Sequence, residues 1–265
     1  MAHKLKLDFL GKDSVPYHNE IEIPDEVYNV LKELKDSKSP EDQLFDATAG
    51  TVTGFLKECM PELTPKLFRT ALGTKVLCEE LRNTNWDPNW SDARKIQAFN
   101  DANLAVAKKL NHQHDVAKNF KEQTEKLDAK IEKAKETMKE RKKKFAEQVL
   151  KFKQDREKAR EKYKGKELKE ALAKIDEKEA KAKATLQRQA LRVEAAEINK
   201  TMKDATKNYS LGTSKGAYSS PKITVSFCKK MGIDLSKIYS KSLQEKFSWA
   251  QDVDEDYWLN YPNVK

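Results

Sequence analysis

Cysteine and long apolar runs are both scarce in this chain of 265 residues. The three cysteines, at positions 59, 78 and 228, are far apart and lack the spacing of metal ligands, which argues against a zinc site. So few thiols also favour a reducing compartment, and we expect all three to be buried. No stretch approaches the roughly 20 apolar residues that span a bilayer, and the opening residues lack the apolar core of a signal peptide. We therefore expect a soluble, intracellular protein with no membrane partner.

Charge is plentiful and its balance is basic. Lysine and arginine together number 52 against 43 aspartate and glutamate, which gives a formal net charge of +9. An acidic polymer such as DNA is a natural ligand for a chain of this sign. Charge alone does not decide between nucleic-acid binding and a merely basic surface.

Glycine and proline are nearly absent from the middle of the chain, where only Gly165 interrupts a charge-dense tract. Apolar or small residues recur there at steps of four and three, as in a heptad repeat. We predict two helices joined by a turn at Gly165 and packed as an antiparallel coiled coil over residues 115–205. The repeat by itself favours a dimerising or purely structural coiled coil. The repeating positions are Phe120, Thr124, Leu127, Ile131, Ala134, Met138, Phe145, Val149, Phe152, Ala159 and Tyr163, then Leu168, Leu172, Ile175, Ala182, Leu186, Val193 and Ala196, with Glu179 and Gln189 as interruptions.

Residues 1–114 begin with strand patterns and continue with helices. Leu5, Leu7 and Phe9 alternate with polar residues, and a second alternating run leads to Ile23, which predicts a β-hairpin with Lys12 at its tip. Ser39-Pro40 and Thr64-Pro65 each place a capping residue before proline, which predicts two helix starts. A further apolar helix carries Ile96, Phe99, Val106 and Leu110.

Residues 211–218 place Tyr218 among small residues directly after the charged tract, in the sequence Leu-Gly-Thr-Ser-Lys-Gly-Ala-Tyr. This segment closely resembles the active-site segment of eukaryotic type IB DNA topoisomerases, in which the tyrosine attacks a DNA phosphodiester. The resemblance implies that Tyr218 is the nucleophile and that the coiled coil is the family's linker.

Three further segments resemble the same family, in the same order along the chain. Taken singly, Lys12 would be an ordinary solvated lysine, Arg69 a member of a surface ion pair and His112 a helix-capping histidine. The resemblance implies that Lys12, in Leu-Asp-Phe-Leu-Gly-Lys-Asp-Ser, is the general acid for the leaving 5′ oxygen. It implies that Arg69, in Leu-Thr-Pro-Lys-Leu-Phe-Arg-Thr, and His112, in Ala-Val-Ala-Lys-Lys-Leu-Asn-His-Gln, bind the scissile phosphate. His114, two residues on, is not assigned a role.

The resemblance also implies DNA contacts and a drug-site neighbour. The expected DNA-binding residues are Asp13, Asn111, Thr213 and Lys215. Ala217 stands where the family usually carries asparagine, close to the site of camptothecin-type poisons. No metal and no cofactor is expected, and no ATP-binding loop of the Gly-x-x-x-x-Gly-Lys-Ser/Thr type occurs in the sequence.

The expected architecture is mainly α with a small N-terminal β-hairpin. Residues 1–114 would be the C-terminal part of a helical catalytic core, residues 115–205 a protruding coiled-coil linker, and residues 206–265 a small helical domain carrying the tyrosine. The family's other catalytic arginine and its capping lobes have no counterpart here, so the chain resembles the C-terminal half of a nuclear enzyme. Its expected partners are duplex DNA and the upstream core and capping half, from the same gene or as a separate subunit.

Two alternatives stay open on the sequence. Tyrosine recombinases share the arginine, lysine, histidine and tyrosine chemistry, but they have no long coiled coil between histidine and tyrosine. A non-catalytic coiled-coil protein that binds nucleic acid by charge would make Tyr218 an ordinary packed residue.

Overall fold

A computed structural model describes residues 3–11 and 16–262 of the chain. They form two compact units, Met1–Thr70 and Ala71–Lys265. The fold is mainly helical with one two-stranded sheet, as the sequence predicts.

The first unit opens with the predicted β-hairpin. Strands β1 (His3–Leu10) and β2 (Pro16–Ile23) pair antiparallel, with Leu5 opposite Ile21 and Phe9 opposite Tyr17. Because side chains alternate across a strand, the apolar residues of β1 other than Leu10 share one face, and Lys4, Lys6 and Asp8 lie on the other. The hairpin tip, with Lys12 and Asp13, lies outside the described residues.

Helices α1 (Asp25–Asp36) and α2 (Ala49–Cys59) follow the hairpin. Thr48 caps α2 by accepting a hydrogen bond from the Thr51 N–H. The prediction that a helix starts at Ser39-Pro40 was wrong. The Asp42 N–H instead donates to the Ser39 carbonyl and the Ser39 N–H to the Asp42 carboxylate, which closes a tight turn. None of the described residues up to Thr70 is buried.

The second unit is built on two long helices and the C-terminal segments. Helix α3 (Pro65–Asn83) begins at the predicted proline, and α4 (Asp92–Lys109) is capped by Ser91. The coiled-coil region, residues 115–205, belongs to the same unit, and shorter helical segments follow it. They are α7 (Leu211–Thr213), a wider π-type turn (Ser214–Tyr218), α8 (Pro221–Met231), α9 (Lys241–Lys246), α10 (Tyr257–Asn260) and two 3₁₀ turns at Leu235–Lys237 and Ser248–Ala250.

The core of this unit centres on Phe227 of α8, which is completely buried. Its ring packs against Phe99 of α4 at 5.1 Å and against Trp258 of α10 at 5.9 Å between ring centroids. Leu77 and Leu81 of α3 belong to the same buried cluster. Burial of so many large apolar side chains, at about 1.5–3 kcal/mol each, makes this cluster the stable part of the fold.

Helices α5 (Phe120–Lys162) and α6 (Gly165–Ala205) pack antiparallel, and α6 starts at Gly165 with a φ of 59°. Each polar interruption of the heptad repeat makes a contact between the helices. The buried Gln189 amide donates to the Ala134 carbonyl at 3.1 Å, and Glu179 pairs with Arg156. These polar contacts favour one register of the two helices, because sliding them would leave a buried amide unsatisfied.

Two of the three cysteines are buried as expected, Cys78 in α3 and Cys228 in α8, and burial raises the pKa of each thiol to about 12. The expectation was wrong for Cys59, which is exposed at the end of α2. No helix among the described residues is long and apolar enough to cross a membrane.

Candidate active site around Tyr218

Tyr218 ends a turn that is wider than an α-helix. Ser210 accepts a hydrogen bond from the Thr213 N–H at 3.3 Å and so starts the short helix α7, which widens into the π-type turn. The chain then becomes extended at Ser219, and Pro221 begins α8. Such widened turns are uncommon and often occur at functional sites. Tyr218 is thereby fixed between two helices while keeping part of its side chain accessible.

His112 is held by the way α4 ends. Asn111 adopts a left-handed φ of 53°, which asparagine tolerates better than most residues. The Asn111 N–H then bonds to the Lys108 carbonyl at 3.1 Å, and the His112 N–H bonds to the Ala107 carbonyl at 2.8 Å. This pair of bonds is a Schellman motif, and it fixes the backbone of His112 against the last turn of α4.

The two ends of the coiled coil meet at this histidine. The His112 carbonyl accepts from the Ser210 N–H at 2.9 Å, and the His114 N–H donates to the Asn208 carbonyl at 3.1 Å. The segment before α5 and the segment after α6 are therefore pinned together. As a result, the tyrosine turn lies beside the end of α4, more than 90 residues earlier in the chain.

The side chains of His112 and Tyr218 are in direct contact. Their ring centroids lie 4.8 Å apart, with the ring planes tilted by 40°. The His112 Nδ1 atom lies 2.9 Å from the Ser214 hydroxyl oxygen, and His112 is only 8% exposed. An ordered imidazole beside a phenol can donate a hydrogen bond to an anion that the phenol oxygen attacks.

Helices α3 and α4 both contact the tyrosine turn or the residues that flank it. A Cβ atom on Gly73 would lie 2.3 Å from the Tyr218 carbonyl oxygen, so the close approach of α3 requires a residue without a side chain. Thr74 accepts a hydrogen bond from the Ser220 N–H at 3.0 Å, and Asn103 donates to the Leu211 carbonyl at 3.0 Å. The turn is thus anchored just before and just after the tyrosine.

Two lysines also bond to carbonyls around the turn. Lys215 donates to the Ile238 carbonyl at 3.2 Å, and burial lowers the pKa of its ammonium group. Lys246 donates to the Gly216 carbonyl at 2.9 Å. Thr213 is exposed and Ala217 is half-buried. The DNA contacts expected of Lys215, Thr213 and the exposed Asn111 stay predictions.

Among the sequence-predicted residues, the structure brings His112 and Tyr218 together. Arg69 is an exposed residue of the first unit, on the part of α3 that precedes Thr70, and its assignment rests on its sequence segment. The assignments of Lys12 and Asp13 also rest on sequence. In the described part of the chain, no group of three or more histidine, cysteine or acidic side chains could hold a metal ion.

Sequence reasoning missed the residues that support the site. Ser214, Gly73, Thr74 and Asn103 each contact the histidine or the tyrosine turn, yet none lies in a pattern that singles it out. Three of them act through α3 or α4, which are distant in sequence. Ser214 lies inside the recognised segment, and only its position opposite His112 distinguishes it from the neighbouring serines.

Comparisons with known proteins show the family of the chain. Residues 1–145 match the family model "Eukaryotic DNA topoisomerase I, catalytic core", and residues 190–259 match "C-terminal topoisomerase domain". The chain is 38% identical over 256 residues to DNA topoisomerase 1 alpha of Arabidopsis thaliana, and 35% identical over 255 residues to DNA topoisomerase 1 of Homo sapiens. Each match covers 96% of this chain, but only 26% and 31% of the respective relative. The chain therefore spans less than a third of these curated relatives and belongs to the eukaryotic DNA topoisomerase I family.

Proposed function

We propose that this chain is the C-terminal catalytic portion of a type IB topoisomerase that relaxes supercoiled duplex DNA by transient cleavage of one strand. The observation that carries the proposal is the contact between Tyr218 and His112, whose ring centroids are 4.8 Å apart. It joins a potential nucleophile to a potential phosphate ligand, and both lie in segments that resemble the family's active site.

In the proposed reaction, the Tyr218 hydroxyl oxygen attacks the phosphorus of a DNA phosphodiester. A bond forms between the tyrosine oxygen and phosphorus, the bond from phosphorus to the 5′ oxygen breaks, and the tyrosine proton passes to water. Negative charge develops on the non-bridging oxygens, where His112 and Arg69 would stabilise it. Lys12 would donate a proton to the leaving 5′ oxygen.

The product of this step is a 3′-phosphotyrosine and a free 5′-hydroxyl. Because the new phosphodiester retains the energy of the bond that was broken, the 5′-hydroxyl can attack it and reseal the strand. The cycle as written needs neither ATP nor a metal ion. The strand rotates while it is open, which relaxes the supercoil.

The coiled coil of α5 and α6 is proposed to contact DNA downstream of the cleavage site and to slow strand rotation. Helix α5 carries a dense basic segment at residues 139–144, and electrostatic contacts with DNA weaken as salt rises. Replacing residues 125–195 by a short turn should leave cleavage intact but change processivity and its salt dependence. Loss of cleavage would instead make the coiled coil an essential scaffold.

The proposed partners are duplex DNA and the upstream core and capping portion of the same enzyme, acting in the nucleus. Exposed apolar side chains of the first unit support the proposal that a partner covers it, because large exposed apolar patches often mark interfaces. These side chains include Phe9, Val30, Phe45, Phe55 and Phe68. We expect this chain alone to bind duplex DNA weakly and to relax little of it. Relaxation should appear when the upstream polypeptide is added, in a plasmid assay without ATP or magnesium. Full activity of this chain alone would refute the requirement for a partner.

The experiment that tests the chemistry is covalent trapping on a nicked suicide substrate, using enzyme assembled from this chain and the upstream core. The Tyr218→Phe variant should form no covalent adduct and relax no plasmid, because it lacks only the nucleophilic oxygen. DNA binding measured by filter retention should remain. Tyr257→Phe, a change of the same kind on α10, is the matched control and should form adducts at the wild-type rate. Adducts in the Tyr218→Phe variant would place the nucleophile on another residue. Absence of adducts from the wild-type enzyme would favour the non-catalytic coiled-coil alternative.

A further inference from the structure

Ser214 is a completely buried serine whose hydroxyl contacts the candidate active site. Its oxygen lies 2.9 Å from the Nδ1 atom of His112 and 3.4 Å from the carbonyl oxygen of Ser210. A serine hydroxyl carries one proton, so it can donate to only one of these two acceptors at a time.

The two distances favour one direction for that proton. Hydrogen bonds between two oxygens normally span about 2.5–3.0 Å, so the 3.4 Å contact with the Ser210 carbonyl is weak. The 2.9 Å contact with the Nδ1 atom is of ordinary length. In neutral histidine, one ring nitrogen accepts and the other carries the proton. Donation from Ser214 to the Nδ1 atom therefore leaves the proton on the Nε2 atom of His112.

We propose that Ser214 is a positioning residue that holds neutral His112 in the tautomer with its proton on the Nε2 atom. The inference rests on the proposed function, in which His112 binds the scissile phosphate. Only a protonated ring nitrogen can donate a hydrogen bond to a phosphate oxygen, so the bare nitrogen must point elsewhere. The Ser214 hydroxyl provides the partner for that bare nitrogen before DNA binds.

The position of Ser214 in the chain couples this role to the nucleophile. Ser214 and Tyr218 are the first and last residues of the same five-residue turn. One end of the turn contacts the His112 Nδ1 atom and the other places the tyrosine ring against the histidine ring. Folding of this single turn therefore orients the phosphate ligand and the nucleophile together, as preorganised catalysis requires.

Nitrogen NMR of the histidine rings tests the proposal directly in this chain without DNA. The chain has only four histidines, and a His112→Gln variant identifies the signals of His112. At a pH where His112 is neutral, we expect the Nε2 atom to be protonated and the Nδ1 atom to be bare. A wild-type spectrum with the proton on the Nδ1 atom overturns the proposal, whatever the variants do.

Substitutions at position 214 test whether the serine hydroxyl is what sets the tautomer of His112. Ser214→Ala removes the donor and should reduce the tautomer ratio by roughly two- to tenfold, the effect of one hydrogen bond. Ser214→Thr keeps the hydroxyl and should restore the wild-type spectrum. Ser219→Ala is the matched control, because Ser219 is also buried and its hydroxyl has no hydrogen-bond partner among residues 3–11 and 16–262. An unchanged tautomer ratio in Ser214→Ala refutes the proposal.

Single-turnover cleavage by the enzyme assembled with the upstream core is a second test of the proposal. We expect Ser214→Ala to cleave roughly two- to tenfold more slowly, while Ser214→Thr and Ser219→Ala cleave at the wild-type rate. Wild-type cleavage by Ser214→Ala would remove the residue from the mechanism. If adducts persist in Tyr218→Phe but the NMR result holds, the proposed function fails while the hydrogen bond stands. The two failures are therefore distinguishable.

Discussion

The first unit, up to Thr70, and the second unit, from Ala71 onward, are both rich in regular structure but differ in what they bury. The described residues of the first unit form a hairpin and two helices with clear apolar faces, and none of these residues is buried. The second unit closes a core around Phe227 and fixes His112 beside Tyr218. Regular hydrogen bonding can therefore define a hairpin or a helix, but only packing fixes a side chain well enough for chemistry.

The residues proposed for the site are divided between the two units. Tyr218 and His112 are held by contacts within the second unit, whereas Arg69 and Lys12 belong to the first unit. On the proposed function, the pair in the second unit is preorganised and the first unit depends on further burial by the upstream core.

The rate of thiol labelling should show the largest difference between the two units. Cys59 is exposed in the first unit, while burial raises the pKa of Cys78 and Cys228 in the second unit from 9.0 to about 12. Because the thiolate is the reactive form, the shift alone lowers their thiolate fraction by about a thousandfold. We expect one fast-reacting thiol per native chain near pH 8, measured with a maleimide and mass spectrometry. All three should react in denaturant, and equal native rates would contradict the burial difference.

Alanine substitutions at Arg69 and His112 test whether both units contribute to cleavage. Each variant should slow single-turnover cleavage by on the order of a hundredfold or more, because each removes a donor from the developing charge. His114→Ala, two residues from His112, and Arg188→Ala, on the coiled coil, are the matched controls and should cleave normally. Normal cleavage by Arg69→Ala would leave Lys12 as the one residue of the first unit proposed to act in cleavage.

Substitution of Asn111 tests how the second unit holds its histidine. Asn111→Val should lower the free energy of unfolding by about 1–2 kcal/mol, because a residue with a branched Cβ is strained in the left-handed conformation. Asn111→Gly adopts that conformation freely and should preserve stability. Urea unfolding of both variants measures the difference. Equal stability of the two would show that the Schellman motif at the end of α4 does not depend on the residue at position 111.

Ala217 offers the finest test, because it probes a single contact beside the nucleophile. On the family resemblance, asparagine at this position lies close to a camptothecin-type poison in nicked DNA, and alanine cannot supply that polar contact. One such hydrogen bond is worth about 1 kcal/mol, or several-fold in affinity. The complete enzyme with Ala217→Asn should therefore be trapped on DNA at several-fold lower drug concentration than wild type. Equal trapping would place the drug away from residue 217.

Local patterns in the sequence predicted the elements that depend on neighbours in the chain. Alternating residues predicted the hairpin, Thr64-Pro65 predicted the start of α3, and the heptad repeat predicted both helices of the coiled coil and the break at Gly165. The same reasoning failed at Ser39, where a capping residue before proline forms an isolated turn. It also missed helices α1 and α2, although two acidic residues follow Pro24 at the start of α1 and Thr48 caps α2.

The sequence by itself determined the family, the order of the elements and the identity of Tyr218, His112, Arg69 and Lys12 as candidates, because these depend on residue types and spacing along the chain. Only the tertiary structure decided that His112 contacts Tyr218 and that Ser214 bonds to the His112 Nδ1 atom. Only it showed that α3 passes close to the Tyr218 carbonyl at Gly73. These contacts join residues about 100 to 145 positions apart, and they form when helices pack and the ends of the coiled coil meet. Packing of this kind depends on the shape of the whole core, which no local pattern encodes.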